Sequence, residues 1–296
     1  MSKFYLLILI ATVVLLSVSC SPNTPALSGY VVFVSDQNGN RDIFIMDANG
    51  QNIQQLTDNP TRDESPSWSP DGRQIAFISD RDGNHEIYTM NVDGSNQTRR
   101  TNTPDVYEDF PSWSPDGKRI VFSADPGYLG LLDLVTGTTH AITDGTDRVY
   151  ENNPSWSPDG QQIVFESADN SKRYIKSIRP DGSNSIILHE LVYDDGILLD
   201  PTWSPDGSQI VFGILASSER AGGGTFIMSS DGSNAKHLFS RYSGSSWSPD
   251  GEWLVTYSSV DGNNNFSEIY IINISDGAKY RITNTPYNES NPAWSP

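Results

Sequence analysis

The sequence predicts an all-β protein, a six-bladed β-propeller built from four-stranded antiparallel blades. Trp-Ser-Pro occurs six times, at intervals of 43 to 47 residues. Four short strand-like segments with turn sequences between them fit into each interval, and a period of this length with four strands is typical of propeller blades. The repeated tryptophans are Trp68, Trp113, Trp156, Trp203, Trp247 and Trp294.

The second copy shows the strand pattern. The predicted strands are 74–79 (QIAFIS), 86–91 (EIYTMN), 97–101 and 110–114, with Asp- and Gly-rich turns between the first three. The Ser-Pro-Asp-Gly sequence after the tryptophan suits a type I turn, because proline presets φ at the second position. A large side chain that recurs at one place in every copy indicates packing between blades rather than ligand stacking.

The two ends of the chain predict how the ring closes. The first copy begins at Tyr30 without a preceding Trp-Ser-Pro, and the last ends with an unattached segment, 291–296. We predict that the C-terminal strand completes the first blade beside residues 30–57. This pairing would leave no open sheet edge.

The N-terminal residues predict an export signal. A charged start is followed by an apolar run over residues 4–18, too short to span a bilayer comfortably. The run ends just before Cys20, the only cysteine, and resembles a bacterial lipoprotein signal cleaved before a cysteine that becomes lipidated. An ordinary cleaved signal is the alternative; a lone exported thiol without a disulfide partner favours lipidation.

These features divide the chain into three parts. We expect a signal peptide over 1–19, a lipid-anchored tether over 20–29 and the propeller over 30–296. The expected location is the cell envelope, on the extracytoplasmic side, with the lipid anchor as the only membrane contact.

Three repeated motifs resemble a known family. Ile-Ala-Phe (75–77), Glu-Ile-Tyr-Thr-Met-Asn-Val-Asp-Gly (86–94) and Pro-Ser-Trp-Ser-Pro-Asp-Gly (111–117) are similar to the WD40-like repeat of the TolB propeller family. The second motif recurs at 42–50 and 268–273. The resemblance covers residues 30–296 and implies six blades with the Trp-Ser strand innermost.

The chain departs from relatives that share such propellers. TolB itself carries an α/β domain before its propeller, whereas nine residues separate Cys20 from Tyr30 here. A role in the Tol–Pal system is therefore not assumed. Proteases of the prolyl oligopeptidase class add a hydrolase domain to a propeller, and the Gly-x-Ser-x-Gly motif of such domains is absent here.

The sequence offers little for catalysis or for metal binding. The four histidines occupy different positions in the repeat, so we expect no metal site, cofactor or catalytic residue; they are His85, His140, His189 and His237. Three acidic hairpin loops, 36–40, 80–84 and 261–263, have oxygen ligands that would suit calcium. Ordinary turn chemistry explains the same residues.

One acidic pattern predicts a binding site. Carboxylates stand three to five residues before five of the six tryptophans, where innermost propeller strands start and line the channel mouth. They are Asp63, Glu64, Glu108, Asp109, Glu151, Asp200 and Glu289, and the fifth copy has Tyr242 instead. Aromatic residues of the same segments would supply apolar anchors, namely Tyr107, Phe110, Tyr150 and Tyr242. The alternative is that an acidic protein places acids in any exposed loop.

The net charge of −18 limits the kinds of partner that the protein is expected to bind. It disfavours nucleic acid and favours cations or basic partners. We expect a monomeric, non-enzymatic binding protein that presents its loop face to a protein or peptide. The alternative is an enzyme or carbohydrate-binding protein that acts at the acidic mouth, because propellers host both functions. The absence of a matching histidine set favours binding.

Overall fold

The computed structural model describes residues 25, 27–145, 150–192, 195–216, 223–240, 243–259 and 266–296. The expected signal peptide, Cys20 and most of the tether lie outside these residues. Within the described part, 24 strands form. They are β1 Tyr30–Ser35, β2 Asp42–Asp47, β3 Gln54–Gln55, β4 Asp63–Trp68, β5 Gln74–Ser79, β6 Glu86–Asn91, β7 Thr98–Arg99, β8 Glu108–Trp113, β9 Arg119–Ala124, β10 Tyr128–Asp133, β11 Thr138–Ala141, β12 Tyr150–Trp156, β13 Ile163–Ala168, β14 Lys172–Ile178, β15 Ile186–Val192, β16 Gly196–Trp203, β17 Gln209–Ala216, β18 Gly224–Ser229, β19 Lys236–Phe239, β20 Ser243–Trp247, β21 Trp253–Ser258, β22 Glu268–Asn273, β23 Lys279–Arg281 and β24 Glu289–Trp294.

The strands form six four-stranded antiparallel sheets, which confirms the predicted propeller. Blade 1 has the order β24-β1-β2-β3, and each later blade uses four consecutive strands, from β4–β7 in blade 2 to β20–β23 in blade 6. The strand that ends in the repeated tryptophan lies at one edge of each sheet. In the described part of the chain, no helix is long and apolar enough to cross a membrane.

The C-terminal strand closes the ring, as the sequence predicts. β24 runs antiparallel to β1, with Val31 opposite Trp294 and Ser35 opposite Glu289. Beyond the strand, the Ser295 backbone N–H donates to the Tyr30 carbonyl at 2.8 Å. Blade 1 is therefore built from both ends of the chain, and the ring is held by strand hydrogen bonds.

The hydrophobic core lies between neighbouring blades. Val32 and Ile43 of blade 1, for example, pack in one cluster with Trp68, Ile75 and Phe77 of blade 2. All six repeated tryptophans are 5–9% exposed. Trp68 Nε1 donates to the Ala293 carbonyl of blade 1 at 3.1 Å. The tryptophans thus join each blade to its neighbour, which explains their fixed place in the repeat.

The Ser-Pro-Asp-Gly turns follow the tryptophans, at the opposite end of the innermost strands from the predicted mouth. In the second of these turns, Asp116 Oδ1 accepts hydrogen bonds from Ser114 Oγ and from the Lys118 backbone N–H. The Gly117 N–H donates to the Ser114 carbonyl at 2.9 Å, and φ of Gly117 is +67°. Glycine therefore fits this position, because L side chains rarely adopt positive φ.

Candidate functional site

The innermost strands enclose a central channel. A cavity of about 550 Å³ runs along them, and in every blade its lining begins at the third residue before the tryptophan. In five blades the lining extends to the proline after the tryptophan, whereas in blade 3 it ends at Ser112. We call the third residues before the tryptophans the mouth ring, because they begin this lining. The mouth ring consists of Ser65, Phe110, Asn153, Asp200, Gly244 and Asn291.

Every member of the mouth ring sits in a β-bulge. The φ angles of these six residues are all between +48° and +56°, in the left-handed region. In blade 2, Glu64 pairs with Ile78 and Ser67 with Ala76, so two residues oppose one on the partner strand. The other five inner strands show the same register shift. Proline follows the ring residue in five blades, which suits a bulge position that donates no ladder hydrogen bond.

The bulge turns most of the predicted carboxylates away from the channel. One extra residue reverses the alternation of side chains upstream of it. The residue five positions before the tryptophan therefore points into the protein body. Asp63, Glu108, Glu151 and Glu289 are at most 9% exposed. A binding role for these four stays a prediction, but their contacts give them a structural role.

Glu108 joins two blades. Its carboxylate accepts hydrogen bonds from Thr101 and Thr103, which lie after the last strand of blade 2, while Glu108 itself begins blade 3. The backbone N–H of Ile87 also donates to it, at 3.3 Å. Burial raises the pKa of Glu108 to about 7. Glu108 therefore fastens the connection between blades 2 and 3.

The other three buried acids are held in related ways. Asp63 forms an ion pair with Arg81, at 3.1 Å between Oδ1 and Nη2. Glu289 accepts from Thr285 Oγ1 at 3.0 Å, and burial raises its pKa to about 7. Burial also raises the pKa of Glu151, although a hydrogen bond from Thr143 acts in the opposite direction and lowers it. Oε2 of Glu151 and Oε2 of Glu289 have no hydrogen-bond partner among the residues that the structure describes.

The remaining predicted residues lie nearer the mouth surface. Glu64 pairs with Arg41 at 2.9 Å. Asp109 accepts from Ser65 Oγ of the neighbouring blade at 2.7 Å, and burial raises its pKa. Tyr107 is 53% exposed and Tyr150 is 50% exposed. Phe110 is partly buried in the mouth ring, and Tyr242 lies outside the described residues.

Two side cavities open among these residues. The blade 3/4 cavity, of about 210 Å³, is lined by Tyr107, Asp109, Tyr150 and Glu151, together with His85. The blade 4/5 cavity, of about 400 Å³, is lined by residues of the mouth ring and by side chains deeper between blades 4 and 5. Phe110 and Tyr150 border both cavities.

The blade 4/5 cavity contains a residue that the acidic pattern missed. Glu166 lies in the middle of β13 and is 7% exposed. Its Oε1 accepts from Asn153 Nδ2 and from the Asp200 backbone N–H, both at 2.6 Å. Burial and the nearby Asp200 carboxyl raise the pKa of Glu166, and burial raises that of Asp200. The signal was present in the sequence as one charged residue in a mainly apolar strand (IVFESA).

The acidic hairpin loops use their polar groups internally. Asn40 Nδ2 donates to the carbonyls of Asn59 and Thr61, at 3.0 and 2.6 Å. Asn84 Nδ2 donates to the carbonyls of Thr103 and Val106, both at 2.9 Å. The loop at 261–263 lies outside the described residues. Across the described ranges, no three His, Cys, Asp or Glu side chains group closely enough to hold a metal ion.

The mouth is thus a mixed surface rather than a ring of carboxylates. It presents two exposed tyrosines, the aromatic side chain of Phe110, and acids that are partly buried beside small cavities. Aromatic anchors next to pockets are typical of surfaces that bind another molecule.

Comparisons with known proteins agree with this architecture. The Tol-Pal system protein TolB of Geobacter sulfurreducens is 42% identical over 48 residues, which make up 16% of this chain and 11% of that protein. The protein of the same name from Geobacter metallireducens is 44% identical over 48 residues, with the same two shares. The chain therefore matches only about a tenth of the length of each curated relative.

Solved structures show the same fold. TolB from Acinetobacter baumannii superposes with a TM-score of 0.76 at 20% identity, over 90% of this chain and 67% of that one. A putative TolB from Agrobacterium tumefaciens gives 0.66 at 18% identity, over 92% and 100%. An oligogalacturonate lyase in complex with manganese gives 0.60 at 15% identity, over 86% and 74%. At these identities the likeness concerns the fold alone, which here is shared by TolB proteins and an enzyme.

The family itself is shown by sequence. Residues 15–191, more than half of the chain, match the TolB beta propeller domain. This match agrees with the motifs at 75–77, 86–94 and 111–117 and with the six-bladed ring. The chain belongs to the family of the TolB beta propeller domain.

Proposed function

We propose that this chain is a non-enzymatic binding protein of the bacterial cell envelope, which presents its mouth face to a protein or peptide partner. The observation that carries the proposal is the pair of tyrosines, Tyr107 and Tyr150, each about half exposed beside acid-lined cavities. Tyrosine supplies a large contact area at low entropic cost and is enriched among interface anchors.

Charge supports a basic partner. The net charge of −18 attracts cations over long range, and Asp109 and Glu151 line the same cavity as the two tyrosines. Such a surface speeds association with a basic partner and makes binding sensitive to salt. The names of the curated relatives assign those proteins to the Tol-Pal system; a short matched segment does not extend that assignment to this chain.

Alanine variants test the mouth face. The intact protein is crosslinked in its native cells and the captured partner is identified by mass spectrometry. We expect Tyr107→Ala combined with Tyr150→Ala to reduce capture by about tenfold or more, because truncated interface anchors commonly cost ~1–2 kcal/mol or more. The matched control is Tyr30→Ala: Tyr30 is 49% exposed but lies at the opposite end of the innermost strands. Equal capture by the double variant and the control would contradict the proposal.

The proposed location rests on the N-terminal segment. We propose export, cleavage before Cys20 and attachment of lipid to it, so that residues 20–29 tether the propeller to a membrane. Two or more acyl chains anchor a protein stably, whereas one chain does not. Labelling cells with a palmitate analogue should tag the wild-type protein and leave Cys20→Ala untagged. A wild-type protein that is exported without label would rule out the anchor.

A further inference from the structure

The N-terminal segment meets the propeller at the end opposite the mouth. Tyr30 begins β1 beside the end of β24, where its backbone N–H donates to Ser295 Oγ at 3.0 Å. The Ser-Pro-Asp-Gly turns lie at this same end, and we call the surface that they form the turn face. An attachment upstream of Tyr30 therefore joins the propeller at the turn face and not at the mouth face.

The last residues before β1 are fixed on the turn face by specific contacts. Leu27 packs against a core cluster that contains Trp294 and joins blades 1 and 6. The Ser28 carbonyl accepts a hydrogen bond from Trp294 Nε1 at 3.2 Å. The Gly29 carbonyl accepts one from the Ala48 backbone N–H at 3.0 Å. The point where the chain leaves the propeller is thus held between these two blades.

The contact with Ser28 takes the place of a bond between blades. Trp68 Nε1 donates to the Ala293 carbonyl of the preceding inner strand. Trp294, at the equivalent place in its own strand, donates to the Ser28 carbonyl instead. The N-terminal segment therefore occupies a position that the repeat otherwise gives to a neighbouring blade, so its exit from the turn face is part of the fold.

The path from the proposed anchor to this exit is short. Cys20 is followed by residues 21–27, and an extended chain covers ~3.3–3.6 Å per residue, so Cys20 lies at most about 25 Å from Leu27. To bring the mouth face to the membrane, the tether would have to pass outward beyond β2 and β3 and then along the height of the blade. Two strand spacings of ~4.8 Å and six strand residues of ~3.3 Å together require about 30 Å. The tether is too short for that path.

The charge of the turn face opposes adhesion to lipid. Four of its aspartates have a pKa lowered chiefly by a hydrogen bond from the serine of their own turn, and they are therefore ionised at neutral pH. They are Asp71, Asp116, Asp159 and Asp206. Anionic headgroups repel such a surface. The tether, and not attraction to lipid, therefore determines which face is turned to the membrane.

We propose that the propeller stands with its turn face toward the anchoring membrane and its mouth face directed away from it. The mouth then lies ~20–45 Å above the bilayer, from one blade height alone to one blade height plus the full tether. This inference rests on the proposed function, since it needs both the anchor at Cys20 and the mouth as the binding face. It specifies the partner further: the basic segment that is captured extends into the aqueous layer and does not lie at the surface of the anchoring membrane.

Energy transfer from single cysteines to the bilayer tests this orientation. Asn38→Cys in blade 1 and Asn170→Cys in blade 4 label the mouth end, whereas Ile53→Cys and Ser185→Cys label the turn face of the same two blades. All four positions are exposed. Blades 1 and 4 stand opposite each other in the ring, so a tilt raises transfer in one of them and lowers it in the other.

The intact lipoprotein is labelled with a maleimide fluorophore and inserted into preformed phosphatidylcholine vesicles that carry an acceptor on the lipid headgroups. We expect transfer to be about twofold or more higher from position 53 than from 38, and from 185 than from 170, because each mouth position lies ~20 Å farther from the bilayer. The control inserts about 20 Gly and Ser residues after Ser21, a flexible extension that frees the propeller to turn and should remove most of the difference.

Three results would overturn the inference. Equal transfer from the two ends of both blades would contradict it, as would higher transfer from the mouth positions. Higher transfer from the turn face in one blade alone would show that the propeller lies on its side. An undiminished difference with the lengthened tether would show that adhesion to lipid, and not the short tether, orients the protein.

The wild type separates this inference from the proposed function. Cys20 is its only cysteine, and a lipidated Cys20 takes no maleimide. If the wild type is labelled, the proposed anchor fails and this inference fails with it. If the wild type stays unlabelled while both ends transfer equally, the inference fails and the anchor stands. The binding face is decided independently, by capture of the partner with the tyrosine variants.

Discussion

Glu108 should make the folded protein less stable as pH rises through the neutral range. The pKa of this carboxyl is raised from 4.5 to about 7, chiefly because it is buried. Between these two values the folded chain holds a proton that the unfolded chain has lost. The free energy of unfolding therefore falls as pH increases across this window and levels off above it.

The size of the effect follows from the shift. Moving one carboxyl from pKa 4.5 to about 7 corresponds to about 3 kcal/mol. That is a large part of the ~5–15 kcal/mol that stabilises a typical domain. Asp42 and Glu289 also have raised pKa values, about 6 and about 7, so the wild type should lose stability from several sites over the same range.

Glu108→Gln isolates the contribution of one site. Glutamine does not titrate. Its one oxygen can replace Oε2 and accept from Thr101 and from the Ile87 N–H, while its Nε2 can donate to the Thr103 hydroxyl. Urea unfolding, followed by tryptophan fluorescence at about pH 4.5 and pH 8, gives the difference in stability between variant and wild type. We expect this difference to shift by about 3 kcal/mol in favour of Glu108→Gln at the higher pH.

The control and the refuting result are equally specific. Asp181→Asn changes an exposed turn carboxylate whose pKa is lowered by hydrogen bonds from Ser183. At high pH, the difference in stability between Asp181→Asn and the wild type should shift slightly against the variant, or not at all. If Glu108→Gln and the wild type keep a constant difference across the range, Glu108 is not buried in the way the structure places it.

Two further predictions concern the ring itself. Trp294→Ala should lower the free energy of unfolding by about 3–5 kcal/mol, because it empties a buried site where β24 meets β1. The control Trp253→Ala, at a partly buried position, should lower it less. Equal losses of the two variants in urea unfolding would contradict the closure. Gly94→Ala should lower the melting temperature more than Gly137→Ala. Both glycines have φ near +75° (+80° and +72°), but only at Gly94 would a Cβ lie 2.7 Å from the Leu56 carbonyl oxygen. Comparable melting temperatures of the two variants would refute that account.

The fold could be predicted because the sequence repeats it six times. Each copy places a large tryptophan, a proline turn and short apolar strands at the same spacing, so weak local signals reinforce one another. The ring closure also followed from comparing the two ends, with Tyr30 lacking an inner strand and Trp294 supplying one. Both conclusions depend only on the spacing and the order of segments along the chain, which the sequence gives directly.

The direction of the side chains could not be predicted in the same way. The acids at Asp63, Glu108 and Glu289 begin inner strands, as expected, but a bulge downstream reverses which face they occupy. A proline two residues before the tryptophan marks that bulge, although proline alone is also consistent with a regular edge strand. Asp200 differs because it occupies the bulge position itself and so reaches the channel.

Glu166 shows a second limit. A charged residue within an apolar strand is visible in the sequence, but its meaning depends on what the neighbouring blade places opposite. Asp200 lies 34 residues further along and meets Glu166 only because blades 4 and 5 pack side by side. Contacts of this kind arise from the curvature of the ring and from the bulge together.

The central claim is that the partner binds the mouth face, and site-specific photocrosslinking tests it most directly. Benzoylphenylalanine is placed at position 107, at position 30 or at position 135 of the intact protein in its native cells. The account predicts one adduct of defined mass from position 107, and none from position 30 at the opposite end or from position 135, where Val135 is 77% exposed. The same adduct from position 30 or 135, with none from position 107, would contradict it.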